Sequence, residues 1–273
     1  MKLIDVSEEQ RSEIQKAELR ILDELDRICK KHDIKYMVAY GSLLGAIRHQ
    51  GFIPWDDDVD LCMLREDFLR FREVCKTELS SDFFYQTNDT DPEYYYLFDK
   101  IRLNGTIFRE SFASKYNIHH GIYIDIFPID YIPENKLKRY IQYCKFHFYR
   151  TGVMAKYLML GARSGKKKLI CALLRIPYVV FPMKYLYRKA QETAMQYDDH
   201  SHKMATNFNS PYHKKDTFDA KLYKELEVHQ FEDRVTWIPK RYDEFLRTLY
   251  DDYMQFPPES ERNTRHILTE LQL

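Results

Sequence analysis

The chain has little glycine, no charge imbalance, no paired cysteines and no unbroken apolar run. Each shortage removes a class of protein. Glycine numbers 8 of 273 residues. The one glycine-bracketed basic stretch, Gly161–Lys166, lacks P-loop spacing and the terminal Ser/Thr, which excludes an ATP P-loop. Basic and acidic residues balance at 42 each. No global field therefore marks a nucleic-acid binder. The five cysteines, at 29, 62, 75, 144 and 171, are odd in number and widely spaced, with no C-x-x-C. That excludes a zinc ribbon and argues against a secreted disulfide framework. Met1-Lys2-Leu3 leads into a charged helix rather than an apolar signal segment, so a reducing cytoplasmic compartment is the expectation. Leu169–Tyr187 is apolar but interrupted by Arg175, Pro177, Pro182 and Lys184, too broken for a transmembrane helix. Behind Lys166-Lys167-Lys168 it suits the inner, anionic face of a membrane, or a packed helical hairpin with a solvated basic loop.

What is present is patterned. Ser7-x-x-Gln10 reads as a capping box, and Ile14, Ala17, Ile21, Leu25 and Ile28 recur at helical spacing to about Lys31. Tyr36–Tyr40 reads as a short strand, Gly41-Ser42 as a tight junction, and Leu43 to Ile47 as a short helix. A helix is expected over 66–78. Strands are expected at Phe83–Gln86, Tyr94–Arg102, Thr106–Phe108 and Ile122–Phe127, with Asn104-Gly105 as a hairpin turn. The first 133 residues thus form a mixed α/β (α+β) sheet domain. Residues 134–273 read as a mainly helical region packed on that core, toward an acceptor or a membrane.

Four carboxylates stand in five positions: Asp56, Asp57, Asp58 and Asp60. If Asp56–Leu64 is a strand, Asp56, Asp58 and Asp60 share a face at roughly 6.6 Å spacing, with Asp57 turned away. Like charges so placed repel, and a hard divalent cation, Mg²⁺ or Mn²⁺, would cancel that repulsion. The alternative is an acidic turn ahead of a helix. Gly41 allows close backbone approach to a phosphate, and Ser42 opens a helix whose N-terminal N–H groups favour an anion. Asp125, alone amid β-formers, could complete the metal site, accept a proton, or simply be hydrogen-bonded. This set suits metal-assisted phosphoryl or nucleotidyl transfer.

The run Tyr40-Gly41-Ser42-Leu43-Leu44-Gly45-Ala46-Ile47-Arg48-His49, then Gly51-Phe52-Ile53-Pro54-Trp55-Asp56-Asp57-Asp58-Val59-Asp60, resembles the LicD family. So do His120–Pro128, Arg241-Tyr242-Asp243 and Tyr250–Met254. The first run is also similar to the fukutin-related sugar-phosphate transferases. The resemblance implies a nucleotidyltransferase-like core and transfer of phosphocholine from CDP-choline to a glycan of teichoic acid, lipooligosaccharide or capsule. It places Asp58 and Asp60 as the metal pair with Asp56 beside them, Asp125 as the third acidic position, and Gly41-Ser42 as the phosphate turn. Other CDP-activated alcohols, or a non-catalytic glycan- or nucleotide-binding module, are the rival readings.

Lys100 and Arg102 share a strand face, toward the donor diphosphate or toward solvent. Arg48 and His49 suit helix C-terminal capping. His119 and His120 precede the Asp125 strand. Asp198–His202 has metal-like composition in one short run. Tyr40 and Trp55 suit base stacking, a quaternary-ammonium box, or core packing. No role is assigned to His266, and Asp57 is expected to tolerate replacement best of the four aspartates.

Overall fold

A computed structural model describes residues 3–157, 176–198, 201–264 and 266–273. Cys171, Gly161–Lys166, the basic run 166–168, the start of the 169–187 stretch and Asp199-His200 lie outside them.

The N-terminal pattern folds as its periodicity requires. Helix α1 (Glu8–His32) starts with the Ser7–Gln10 capping box and buries Ile14, Ile21, Leu25 and Ile28. Strand β1 (Met37–Val38) leads to α2 (Tyr40–His49), then β2 (Asp60–Leu64) and α3 (Arg65–Glu78). Strands β3 (Phe83–Gln86), β4 (Asp99–Leu103), β5 (Ile107–Glu110) and β6 (Tyr123–Ile132) follow. Helices α4 (Lys136–Tyr157) and α5 (Met183–Ala194) pack together. The chain then returns to strands: β7 (Met204–Thr206), β8 (Thr217–Asp219), and the hairpin β9 (Leu226–Phe231) with β10 (Arg234–Pro239). It ends with α6 (Tyr242–Tyr250) and β11 (Leu268–Gln272).

The main sheet has the order β1-β2-β6-β4-β3, with β7 and β8 attached through β6. Ten-residue β6 is buried at every position and is its axis. It pairs parallel with β2 and antiparallel with β4 and β7. Two buried bidentate ion pairs fix α3 to this sheet: Arg65 to Asp130 at 2.7 and 2.8 Å, and Arg72 to Asp99 at 2.9 and 2.8 Å. One apolar core runs from Val6 to Leu268, so residues of both halves share it.

Three expectations change. The described part of residues 134–273 is not mainly helical: after α4 and α5 it supplies five strands, with the single longer helix α6 among them. The strand expected from Tyr94 begins at Asp99, because Tyr95 and Tyr96 pack with Tyr149, Tyr178 and Tyr185 against the α4–α5 layer. Asn104-Gly105 does turn the chain, with Gly105 at φ 79°, but not into a hairpin. Strand β5 leaves β4 and pairs with β11 from the far end of the chain. Among the described residues no helix is long and apolar enough to cross a membrane.

Candidate active site

The centre of the site is a row across three strands. Asp60 on β2 stands beside Asp125 on β6 in parallel register, and Asp125 stands beside Lys100 on β4. Cross-strand partners project to the same face, so the ladder alone sets this order. Lys100 Nζ lies 2.5 Å from Asp125 Oδ1 and 3.3 Å from the centre of the Tyr123 ring. Burial lowers the Lys100 pKa against the pull of Asp125. Burial raises that of Asp125, opposed by Lys100 and reinforced by Asp58.

Asp56, Asp57 and Asp58 precede β2 in irregular chain rather than extending it. The parallel ladder with β6 begins at Asp60 opposite Asp125, and its last bond on this side runs from Asp125 N to the Val59 carbonyl at 2.9 Å. Asp56 is held from behind by a turn, its N–H on the Ile53 carbonyl, and by Gln15 donating to its own carbonyl. Burial, then Asp58 and Asp57, push the Asp56 pKa well up. Burial, then Asp58 and Asp125, do the same to Asp60. The carboxylates therefore feel one another across the loop–strand boundary, as the sequence spacing implies.

The Gly-Ser turn lies against this set. Tyr40 takes φ 50°, a strained value for a non-glycine residue. Its buried hydroxyl holds that turn, donating to Asp216 at 2.5 Å and accepting from Asn207 at 2.7 Å. Tyr40 is thus a core anchor, not a stacking platform. A Cβ on Gly41 would meet Asp56 Oδ2 at 2.8 Å, so only glycine lets that carboxylate come so near the start of α2. Ser42 Oγ accepts from Asp60 N at 2.8 Å, which ties the turn to the first residue of β2. No side chain caps α2.

Arg102 shares the Lys100 face but is engaged, bonding Gln86 at 2.5 Å and the Gly121 carbonyl at 2.6 Å. His119 accepts from Gly121 N, bonds Asn104 and stacks on Phe84; burial pulls its pKa down to about 4. His120 bonds the Tyr116 carbonyl. Both histidines are structural.

Two residues that the sequence reading passed over reach the site. Glu18 on α1 is buried, and its Oε2 has no hydrogen-bond partner among the described residues. Burial, then Asp58, Asp57, Asp56 and Asp125, push its pKa well up. The signal was available: Glu18 falls four residues after Ile14 and three before Ile21, inside the apolar stripe. The second is His266. Its Nδ1 lies 2.8 Å from Asp57 Oδ1, and its Nε2 3.3 Å from the Tyr123 hydroxyl and 3.7 Å from Glu110. Burial alone would lower its pKa. The hydrogen bond to Asp57, with the charges of Asp58 and Glu110, outweighs that and raises it to about 10. Thr264 also donates to Asp57, at 2.6 Å. Asp57 does turn away from its neighbours, but into a buried latch, which removes the ground for expecting it to tolerate replacement.

The donor set is all oxygen and mutually repelling, which fits a hard divalent cation chemically. Among the described residues no three His, Cys, Asp or Glu side chains close a coordination shell by themselves. Such an ion would thus need further ligands from a substrate or water. A cavity of about 600 Å³ between α1 and the β9–β10 hairpin shares none of these residues.

The site is thus a mixed sheet whose parallel pair β2–β6 sets Asp60 beside Asp125, with Gly41-Ser42 in the first turn of α2 against them. In residues 33–159, from just before β1 to α4, the chain matches the LicD/FKTN/FKRP nucleotidyltransferase domain. It is 28% identical to the lipopolysaccharide cholinephosphotransferase LicD of Haemophilus influenzae over 262 residues, 91% of this chain and 93% of that protein. It is 30% identical over 102 residues to the ribitol 5-phosphate transferase FKRP of human and of mouse, covering 37% of this chain but 18% of those proteins.

Proposed function

We propose that the protein is a transferase that moves phosphocholine from CDP-choline to a hydroxyl of a cell-surface glycan and releases CMP. The observation that carries this is the Asp60–Asp125–Lys100 row, with Asp56 and Asp58 beside it, inside a LicD-family domain. The full-length similarity to a cholinephosphotransferase supports the choice of alcohol.

The acceptor oxygen attacks the phosphorus bearing choline, the bond to the CMP oxygen breaks, and the hydroxyl proton is left for a carboxylate. Asp125 suits that role, because burial raises its proton affinity and Lys100 fixes its position. Asp58 and Asp60, with Asp56 beside them and Asp125 as the alternative third ligand, would share Mg²⁺ or Mn²⁺ with the donor phosphates, and the ion would supply charge neutralisation at the diphosphate. Gly41 and Ser42 place the uncapped start of α2 beside these carboxylates, where N–H groups favour a phosphate. Lys100 contributes positive charge to the same face. Arg102, held by Gln86 and Gly121, steadies the Tyr123 ring beneath Lys100.

Incubation with CDP-choline, Mg²⁺ and an acceptor glycan tests the reading. CMP release that is lost in Asp60→Asn is expected; no CMP from wild type would sink it. The FKRP similarity favours a second reading, transfer of another CDP-activated alcohol phosphate. Ranking CDP-choline, CDP-glycerol and CDP-ribitol by thermal shift separates the two.

A further inference from the structure

The opposite end of α2 from Gly41 carries a cluster that the acidic site does not use. Arg48 lies with its guanidinium carbon 4.6 Å from the centre of the Phe256 ring. Arg262 lies 5.5 Å from the same ring and 5.5 Å from Trp55. His49 meets Trp55 and Phe256 edge-on. The loop bearing Phe256 and Arg262 is brought here by Arg48 donating to the Tyr253 carbonyl at 2.9 Å.

Two like charges converge on one aromatic ring, and little offsets them. Among the described residues no carboxylate is within ion-pair distance of Arg48. Arg262 has only Glu259, at 3.9 Å, whose side chain is 91% exposed. Burial and the nearby Arg262 charge both lower the Arg48 pKa, a sign that the repulsion is felt. Arg48 uses Nε on His49 and Nη1 on the Tyr253 carbonyl, and Arg262 uses Nε on the Pro257 carbonyl, so Arg48 Nη2 and the two Arg262 Nη groups are the donors available to an anion. Phe256 is 48% exposed, and Trp55 half-buried. Exposed ring faces of this kind stack on the apolar face of a sugar. Trp55 is also the residue directly before Asp56. From Gly41 to Arg48 is about 10 Å along α2, at 1.5 Å per residue. A multi-unit chain can therefore engage the cluster while presenting a hydroxyl to the carboxylates.

We propose that Arg48, Arg262, Trp55 and Phe256 form a subsite for an anionic sugar of the acceptor, the charge on the arginines and the ring on the aromatics. This rests on the proposed glycan acceptor but is measured without donor or turnover. Titration calorimetry with glucose 6-phosphate, glucose and inorganic phosphate separates the contributions. Glucose 6-phosphate should bind at least about tenfold tighter than either of the others. Arg262→Gln should weaken it about tenfold, and Phe256→Ala should reduce it to the phosphate-like level. Arg48→Gln, whose loop contact also changes, is read only beside Arg262→Gln and an unchanged melting curve. Equal affinity for glucose 6-phosphate and phosphate, or an Arg262→Gln variant that binds like wild type, overturns the subsite. So does a loss confined to CDP-choline affinity, which would assign the cluster to the donor. Absence of CMP release alongside intact, arginine-dependent sugar-phosphate binding would fault the transferase reading instead.

Discussion

Asp60 and Asp125 are held by the sheet, whereas Asp56 and Asp57 are held by other ends of the chain. The first pair sits in a parallel ladder at the most buried strand, and backbone hydrogen bonds fix their spacing. The loop group depends on side chains: Gln15 on α1, and His266 and Thr264 ahead of β11. Position is thus backbone-determined in one half of the site and latch-determined in the other. The strand half should respond to substitution chemically, and the loop half should respond first through stability and shape.

The largest effect is expected in the sheet half. Asp60→Asn and Asp125→Asn should each lower transfer about a thousandfold, the loss typical of removing a fixed electrostatic group. Melting without added metal should not fall for Asp60→Asn, since burial already works against its ionised form, whereas Asp125→Asn leaves buried Lys100 without its ion partner and should cost about 3 kcal/mol. A less than tenfold loss of CMP release would show that the row is not the reacting centre.

Next comes the latch. His266→Ala leaves Asp57 buried without its partner, a change of about 3 kcal/mol in folding stability. Asp57→Ala should behave similarly, and the Asp57→Asn/His266→Gln pair should recover part of the loss in a double-mutant cycle. Strictly additive losses would separate the two residues and dissolve the comparison.

The latch also has a pH signature. His266 titrates near 10 when folded, against about 6.5 unfolded. A raised folded pKa gives stability that is complete below about 6.5 and lost as pH rises toward 10. The melting temperature should therefore decline across that window, and His266→Gln should flatten the decline. An identical slope in wild type and variant would remove the buried imidazolium from the account.

The smallest effect is expected at Glu18. Its raised folded pKa means that the ionised form opposes folding at neutral pH. Glu18→Gln should raise the metal-free melting temperature by about 1 kcal/mol equivalent at pH 7. The gain should vanish below about pH 4.5, where both side chains are neutral. A destabilised Glu18→Gln protein at neutral pH would show that Glu18 serves packing rather than the acidic group.

How much was legible varied by residue. The capping box of α1 and the isolated Asp125 on its strand depend on neighbours within a few positions and were readable, whereas the strand–helix junction falls at Ala39, with Gly41-Ser42 already inside α2. Glu18 was readable too, as a carboxylate in an apolar stripe. The role of Asp57 was not, because its partner lies 209 residues away. Nor was the departure of β5 from β4, since Asn104-Gly105 fixes a turn but not which edge the next strand takes. Arg102 looked equivalent to Lys100 on alternation alone, and only the packing shows that Gln86 and Gly121 engage it.

By itself the sequence determined the local grammar: where helices start, which residues alternate, and that four carboxylates crowd one short segment. Those outcomes follow from backbone sterics and side-chain periodicity, which act over a turn or two. Only the tertiary structure decided that Asp60 faces Asp125, that Lys100 closes the row, that the tail locks Asp57, and that Arg262 joins Arg48 around Phe256. Each of these depends on closing a loop of tens to hundreds of residues, and burial of the shared core, not local propensity, selects which ends meet.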